Sequence, residues 1–186
     1  MSTKFDIKDL GEASFILGIE IYRDRRNGVL ALSQKAYQKK ILKKYGMHMS
    51  KPTRAAIVKG DSFGKHQCPK NQYELEQMKA VPYASTVGSL QYAQVCTRSD
   101  LSFVTGVLGR YQSNPGIEHW KMVKKALRYV RGTTGLMLTY RKSESLEIEG
   151  YSDSDFAGDV DDRKFMSGYI FTLAKGQHRK TTEVIL

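Results

Sequence analysis

Apolar positions recur along the chain with two periods, and the changes of period divide it into elements. Residues 15–22, FILGIEIY, are rich in Ile, Leu and aromatics and read as a strand, with Asn27-Gly28 as a turn signal and VLALS (29–33) as the returning strand. The charged RDRR tip (23–26) makes that loop longer than two residues. Gly18, inside the first strand, reads as a site of close backbone approach. Ser33 is placed to cap a helix over 34–45, in which Tyr37, Ile41 and Tyr45 form a stripe with Leu42 beside it, and Gly46 is a natural stop. The other side of that helix carries Lys35, Lys39, Lys40, Lys43 and Lys44.

Residues 47–82 are polar, contain Pro52, Pro69 and Pro82, and read as a long connection with one short helix around 71–80. A connection of that length inside a compact domain is expected to be functional or mobile. Helices follow over 83–96 and 99–112, separated by Thr97-Arg98, with Ala84, Gly88 and Ala93 as small residues suited to close packing. Residues 117–131, IEHWKMVKKALRYVR, give the clearest helical signal. At about 100° per residue, Trp120, Val123, Leu127 and Val130 share an arc of about 80°. Lys121, Lys124, Lys125, Arg128 and Arg131 share another, centred about 120° away. No acidic residue lies between Glu118 and Glu144, so this face is expected to lack ion pairs within the helix, a pattern that a phosphate backbone would satisfy. Gly132 and Gly135 end the helix, and LMLTY (136–140), LEIEGYSD (146–153) and FMSGYIFTL (165–173) read as strands. The class is α+β.

Composition narrows the partners. The chain has 186 residues, 40% of them hydrophobic and 26% charged, enough for one large domain or two small ones. No apolar run approaches the roughly 18 residues a membrane span needs. The first residues, MSTKFDIKDLGEA, contain no apolar signal core, so an intracellular location is expected, with cytoplasm and nucleus not distinguished. Cys68 and Cys96 make no disulfide framework and are expected as thiols. His66-Gln67-Cys68 has no second ligand pair near it, so zinc is not expected. The net charge of +11 is uneven: residues 1–143 hold 25 Lys and Arg against 10 Asp and Glu, whereas 144–186 hold 5 against 9. A basic body followed by an acidic segment points to a polyanionic partner, nucleic acid first and an anionic membrane surface as the alternative.

The acidic segment opens with GYSDSDFAGD (150–159), which places Asp153, Asp155 and Asp159 just after a strand, with Asp161 and Asp162 following. By itself this fits either a metal-binding catalytic site or an acidic turn that keeps a strand end soluble.

Five stretches, taken in order, resolve that choice by resemblance. FDIKDLGEASFILGIEIYRD, GVLALSQKAYQKKILKKYGM, YASTVGSLQYAQVCTRSD, RYQSNPGIEHWKMVKKALRYVRGT and GYSDSDFAGDVDDRKFMSGYIFTL resemble consecutive motifs of the Pol polyprotein of copia-type long-terminal-repeat retrotransposons, plant ones especially, over roughly residues 4 to 176. The resemblance implies three parts: the end of a reverse transcriptase palm (1–33), a mainly helical thumb and connection (34–143), and the start of an RNase H-like domain (144–186) whose β-sheet is incomplete. Leu17, Gly18 and Ile19 match the place of the primer-gripping hairpin, and the helix at 117–131 falls where an RNA–DNA hybrid would pass. Asp153 matches the first catalytic carboxylate of RNase H, which in that family works with Mg²⁺ held by several carboxylates. Asp155 and Asp159 match no catalytic position.

Two departures bear on activity. The polymerase's Tyr-x-Asp-Asp box is expected upstream of residue 4, and no other segment supplies paired aspartates in a strand turn. After Gly176 the family continues with a Trp-containing strand and a helix bearing the second carboxylate. Here QHRKTTEVIL follows instead, and Glu183 has too few residues after it to nucleate a helix. The expectation is therefore a truncated, catalytically inactive piece of a Pol polyprotein, with the rest of the polyprotein as its ancestral partner. Its rivals are a sequence-independent binder of hybrid or duplex through Lys39, Lys40, Lys43, Lys121, Lys124, Lys125, Arg128 and Arg131; a residual Mg²⁺-dependent nuclease using Asp153, Asp155 and Glu183; and a binder of polyanions or membrane surfaces.

Overall fold

A computed structural model describes residues 8, 10–58, 60–143, 147–155, 166–173 and 178–181. The first surprise is local. FILGIEIY is not one strand: β1 (Phe15–Ile16) and β2 (Ile19–Asp24) pair antiparallel, Ile16 opposite Ile19, across a two-residue turn. Leu17 and Gly18 both have positive φ, 50° and 78°, as the tightest hairpin turn requires. A Cβ on Gly18 would meet nothing within 4 Å, so the glycine supplies backbone conformation rather than a close approach.

β2 returns through the Arg25–Gly28 turn to β3 (Val29–Ser33), and Asp24 accepts hydrogen bonds from the Asn27 backbone N–H at 3.0 Å and side-chain amide at 2.7 Å. α1 covers Lys35–Lys44. Its N-cap is Gln34, not Ser33, although the Ser33 hydroxyl accepts from the Lys35 N–H at 3.2 Å. Gly46, φ 67°, stops the chain just beyond it, as expected.

The long connection is packed. It contains a 3-10 turn at Lys65–Gln67 and α2 (Gln72–Lys79), capped by the Asn71 side chain, and it places Met47, Ala56, Ile57, Phe63 and Val81 against the core. α3 (Tyr83–Cys96), a 3-10 turn (Ser99–Leu101), α4 (Ser102–Gly109) and α5 (Ile117–Gly132) follow. With α1 they form a helical bundle whose interior is Ile41, Leu42, Val87, Leu90, Ala93, Leu101, Leu108, Val123, Leu127 and Val130. On α3 the buried positions 83, 86, 87, 90 and 93 repeat at helical spacing. Ala93 packs inside, but Ala84 and Gly88 are exposed, and a Cβ on Gly88 would meet nothing within 4 Å. Gly116, just before α5, does permit a close approach: a Cβ there would lie 1.8 Å from the Gln67 carbonyl oxygen. The first turn of α5 is thereby seated on the connection.

After α5, β4 (Met137–Arg141) pairs with β3, Leu138 opposite Leu32 and Arg141 opposite Val29. β5 (Ile148–Asp155) and β6 (Met166–Leu173) form a separate antiparallel ribbon, while β7 (His178–Thr181) pairs with β4. The larger sheet runs β1-β2-β3-β4-β7. The molecule is a mixture of helices and antiparallel strands, in keeping with the α+β expectation.

Candidate nucleic-acid interface

On α1, Gln38, Ile41 and Leu42 are buried and Tyr37 and Tyr45 pack partly on the core. At about 100° per residue, Lys39, Lys40 and Lys43 fall on the opposite side of the helix. All three are exposed, and among the described residues none has a carboxylate partner. The Leu17–Gly18 turn lies beside this helix. Tyr92 of α3 donates its hydroxyl to the Leu17 carbonyl at 2.5 Å, and its ring meets Tyr37 of α1 edge-on with centroids 4.9 Å apart. Tyr37 and Lys40 are three residues apart and so neighbours on the helix surface. The turn named by Leu17, Gly18 and Ile19 and the lysines of α1 are therefore adjoining features, linked by two tyrosines.

The cationic face of α5 differs from the sequence expectation. Lys121 pairs with Glu118 of the same helix at 2.6 Å. Lys125 reaches Asp61 on the connection, at 2.8 and 2.6 Å to its two carboxylate oxygens, and this pair is largely shielded from solvent. Burial raises the pKa of Asp61, but the Lys125 hydrogen bond, the Val58 N–H and the Lys125 charge outweigh it, so the carboxyl is held below its ordinary range. Lys124 sits over the Trp120 ring, 6.0 Å from its centroid. Arg128 is half-buried and its Nε has no hydrogen-bond partner, while Arg131 is half-buried with no ion pair among the described residues. Among the described residues Lys124, Arg128 and Arg131 of this helix have no ion-pair partner, and the connection covers part of the remainder.

What holds α1 and α5 in place is a polar cluster that sequence reading passed over. The side chain of Arg98, at the end of α3, is fully buried. It donates to both oxygens of Asp100 at 3.2 and 3.0 Å, to Gln38 of α1 at 3.1 Å, and to the Thr133 carbonyl and hydroxyl after α5 at 3.3 and 2.6 Å. Tyr129 of α5 donates to Asp100 at 2.7 Å. Burial, followed by that bonded carboxylate, raises the Tyr129 pKa above the usual phenol range. Thr97 donates to Gln34 at 2.8 Å. A desolvated guanidinium is tolerated here because so many of its N–H groups are satisfied. The visible signal was Arg98 and Asp100 two residues apart at a helix junction.

The predicted catalytic residue is placed only as backbone. Asp153 lies on β5 opposite Gly168 of β6, and Asp155 opposite Met166. Their side chains, and Asp159 and Glu183 altogether, lie outside the described residues. Among the described residues no three His, Cys, Asp or Glu side chains gather in a way that could hold a metal ion. Nor is any described helix long and apolar enough to cross a membrane.

Neither a protein-family profile nor a solved structure matches the chain. Curated relatives do. The retrovirus-related Pol polyprotein from transposon TNT 1-94 of Nicotiana tabacum is 45% identical over 176 residues, covering 95% of this chain and 13% of that protein. The Pol polyprotein from transposon RE2 of Arabidopsis thaliana is 34% identical over 178 residues, covering 96% of this chain and 12% of that one. A secreted RxLR effector, protein 161 of Plasmopara viticola, is 43% identical over 99 residues, covering 53% of this chain and 70% of the effector. The chain spans about an eighth of the length of either polyprotein, and nearly all of it aligns with both. It belongs to the copia-type family of retrovirus-related Pol polyproteins from transposons.

Proposed function

We propose that this chain corresponds to the end of a reverse transcriptase palm, its thumb and connection, and the beginning of an RNase H-like domain, and that its own activity is to hold an RNA–DNA hybrid or duplex without reading its sequence. The observation that carries this reading is the solvent face of α1, where Lys39, Lys40 and Lys43 stand opposite the core with no carboxylate partner among the described residues. Lys124, Arg128 and Arg131 of α5 add to it. A regularly spaced cation row without counter-ions is what a phosphate backbone neutralises, with release of the counterions condensed on the nucleic acid. The Leu17–Gly18 turn, held next to α1 through Tyr92 and Tyr37, is in place to touch the same strand.

The chain alone is expected to bind without cleaving. Asp153 is the carboxylate carried over from the resemblance, and Mg²⁺ chemistry would need further ligands around it. The test is fluorescence anisotropy with a labelled RNA–DNA hybrid across a salt series containing Mg²⁺, read alongside a cleavage gel. Binding should weaken steeply with salt, log K falling by about 0.9 per phosphate contact for each decade. The triple charge reversal Lys39→Glu, Lys40→Glu, Lys43→Glu should lower affinity at least about tenfold. An unchanged affinity would remove the assignment. Hybrid cleavage by the wild-type chain, abolished in Asp153→Asn, would overturn the claim of inactivity.

A further inference from the structure

We infer that the far end of the larger sheet is a second phosphate-binding site, built from the β2–β3 turn and the end of β4. The inference rests on the hybrid-binding reading above and extends it to a surface that sequence inspection does not group. Arg23 lies near the end of β2 and Arg25 and Arg26 in the turn that follows, whereas Arg141 and Lys142 lie more than a hundred residues later. The β3–β4 ladder unites them: Val29 is opposite Arg141, and the Lys142 N–H donates to the Gly28 carbonyl at 2.7 Å. The approach is close enough that a Cβ on Gly28 would lie 2.6 Å from the Lys142 Cβ.

All five cationic residues are exposed. Two carboxylates accompany them. Glu12 pairs with Arg25 and lies 3.8 Å from Arg23, and Asp24 is engaged by Asn27. Among the described residues, five cations against two carboxylates leave an excess of three, and Arg26, Arg141 and Lys142 have no ion pair. Arginine dominates the cluster, and its planar fork suits phosphate oxygens. β2 joins this end to the Leu17–Gly18 turn: its six residues span roughly 20 Å, so a duplex lying along the sheet would meet both. A phosphodiester backbone is favoured over a membrane surface because the turn, Arg25–Gly28, offers no apolar residue to insert into lipid.

The experiment compares the wild-type chain, the triple variant Arg26→Gln, Arg141→Gln, Lys142→Gln, and a charge-matched control, Lys51→Gln, Arg54→Gln, Lys70→Gln, on another exposed surface. Each is titrated with labelled RNA–DNA hybrid over a salt series and with vesicles of phosphatidylserine and phosphatidylcholine in equal parts. Loss of the sheet-end cations should weaken hybrid binding about tenfold at low salt and reduce the salt slope by about 2 to 3, with the control changing neither comparably. Should the triple variant misfold by circular dichroism, Arg26→Gln and Lys142→Gln singly are each expected to lower the slope by about 1. Hybrid binding that is unchanged, or reduced equally by the control, overturns the second site while leaving the α1 reading intact. Vesicle binding lost with hybrid binding preserved also overturns it, in favour of a membrane surface. A wild-type chain that binds no hybrid overturns both.

Discussion

The helical bundle and the β5–β6 ribbon have similar proportions of apolar residues, used to very different effect. In the bundle, Val87, Leu90, Leu101, Leu108, Val123, Leu127 and Val130 are wholly buried. In the ribbon, cross-strand partners Ile148 and Leu173, then Phe171 and Tyr169 further along the same face, are 56–81% exposed. The difference lies in whether a partner surface is present. Each amphipathic helix finds the stripe of another, whereas the ribbon meets no covering element among the described residues. Within the ribbon the compensation is local: Phe171 lies over Gly150, and its ring meets Tyr169 edge-on at 6.0 Å. A two-stranded ribbon is marginal without a packed face. The segment carrying Asp153 is therefore the least supported by packing, and the cationic helices are the best supported.

The strongest way to break this comparison is at Arg98. Arg98→Ala should cost about 3–5 kcal/mol in a urea melt, because Asp100, Gln38 and Thr133 would lose their shared donor inside the protein. A loss below about 1 kcal/mol would mean that the cluster is solvated and that hydrophobic packing alone joins α1 to α5. Next, Leu90→Ala should cost about 2–5 kcal/mol. Phe171→Ala on the ribbon should change global stability by no more than about 0.5 kcal/mol. Equal losses at the two positions would show that the ribbon is covered as the bundle is.

A smaller effect is expected at the hairpin turn. Leu17 holds φ 50° with its side chain 81% exposed, so it carries the cost of a left-handed conformation without burial to offset it. Leu17→Asn should raise stability by about 1 kcal/mol, whereas Gly18→Ala should lower it by about 1–2 kcal/mol. If neither substitution moves the melting midpoint, the turn does not hold this conformation in solution.

These elements also mark what could be read beforehand. The helix over 83–96 was legible at both ends, and that over 117–131 to within one residue, because helical periodicity is a local property that packing then used. The Leu17–Gly18 turn was not. Apolar residues continue through it without a break, and leucine is not a residue that left-handed turns favour. The connection at 47–82 looked loose because its composition is polar, yet a few apolar side chains and one carboxylate fasten it to α5. Position 153 was singled out by resemblance, and only its place on β5 is described. The lysines of α1 lie on the side of the helix opposite its apolar stripe, as the sequence places them, since one amphipathic helix contains all the information needed. On α5 the expected lack of ion pairs within the helix fails at Lys121, which meets Glu118 three residues before it, and the partner of Lys125 lies 64 residues away, beyond the reach of helical periodicity.

That partner supplies the finest adjustment. Asp61→Asn removes a carboxylate whose folded-state pKa is depressed, by the Lys125 and Val58 hydrogen bonds against the opposing effect of burial. For a depressed acid, the stabilisation is present above the ordinary carboxylate pKa and is lost as pH falls through the lower folded-state value. The wild-type chain should therefore lose stability on acidification through that window, and the Asn variant should lose less. At neutral pH the substitution should cost about 1 kcal/mol, since the Asn side chain still offers Lys125 an acceptor oxygen. Its effect on binding should have the opposite sign. It removes a negative charge from the cationic side of α5 and frees Lys125, so hybrid affinity at low salt should rise about two- to fivefold and the salt slope should steepen by about 1. Tighter binding from a slightly less stable protein would establish that the connection masks part of the α5 face. Weaker binding would mean that Asp61 instead orders that face for its ligand, and the contrast between the open lysines of α1 and the covered ones of α5 would have to be redrawn.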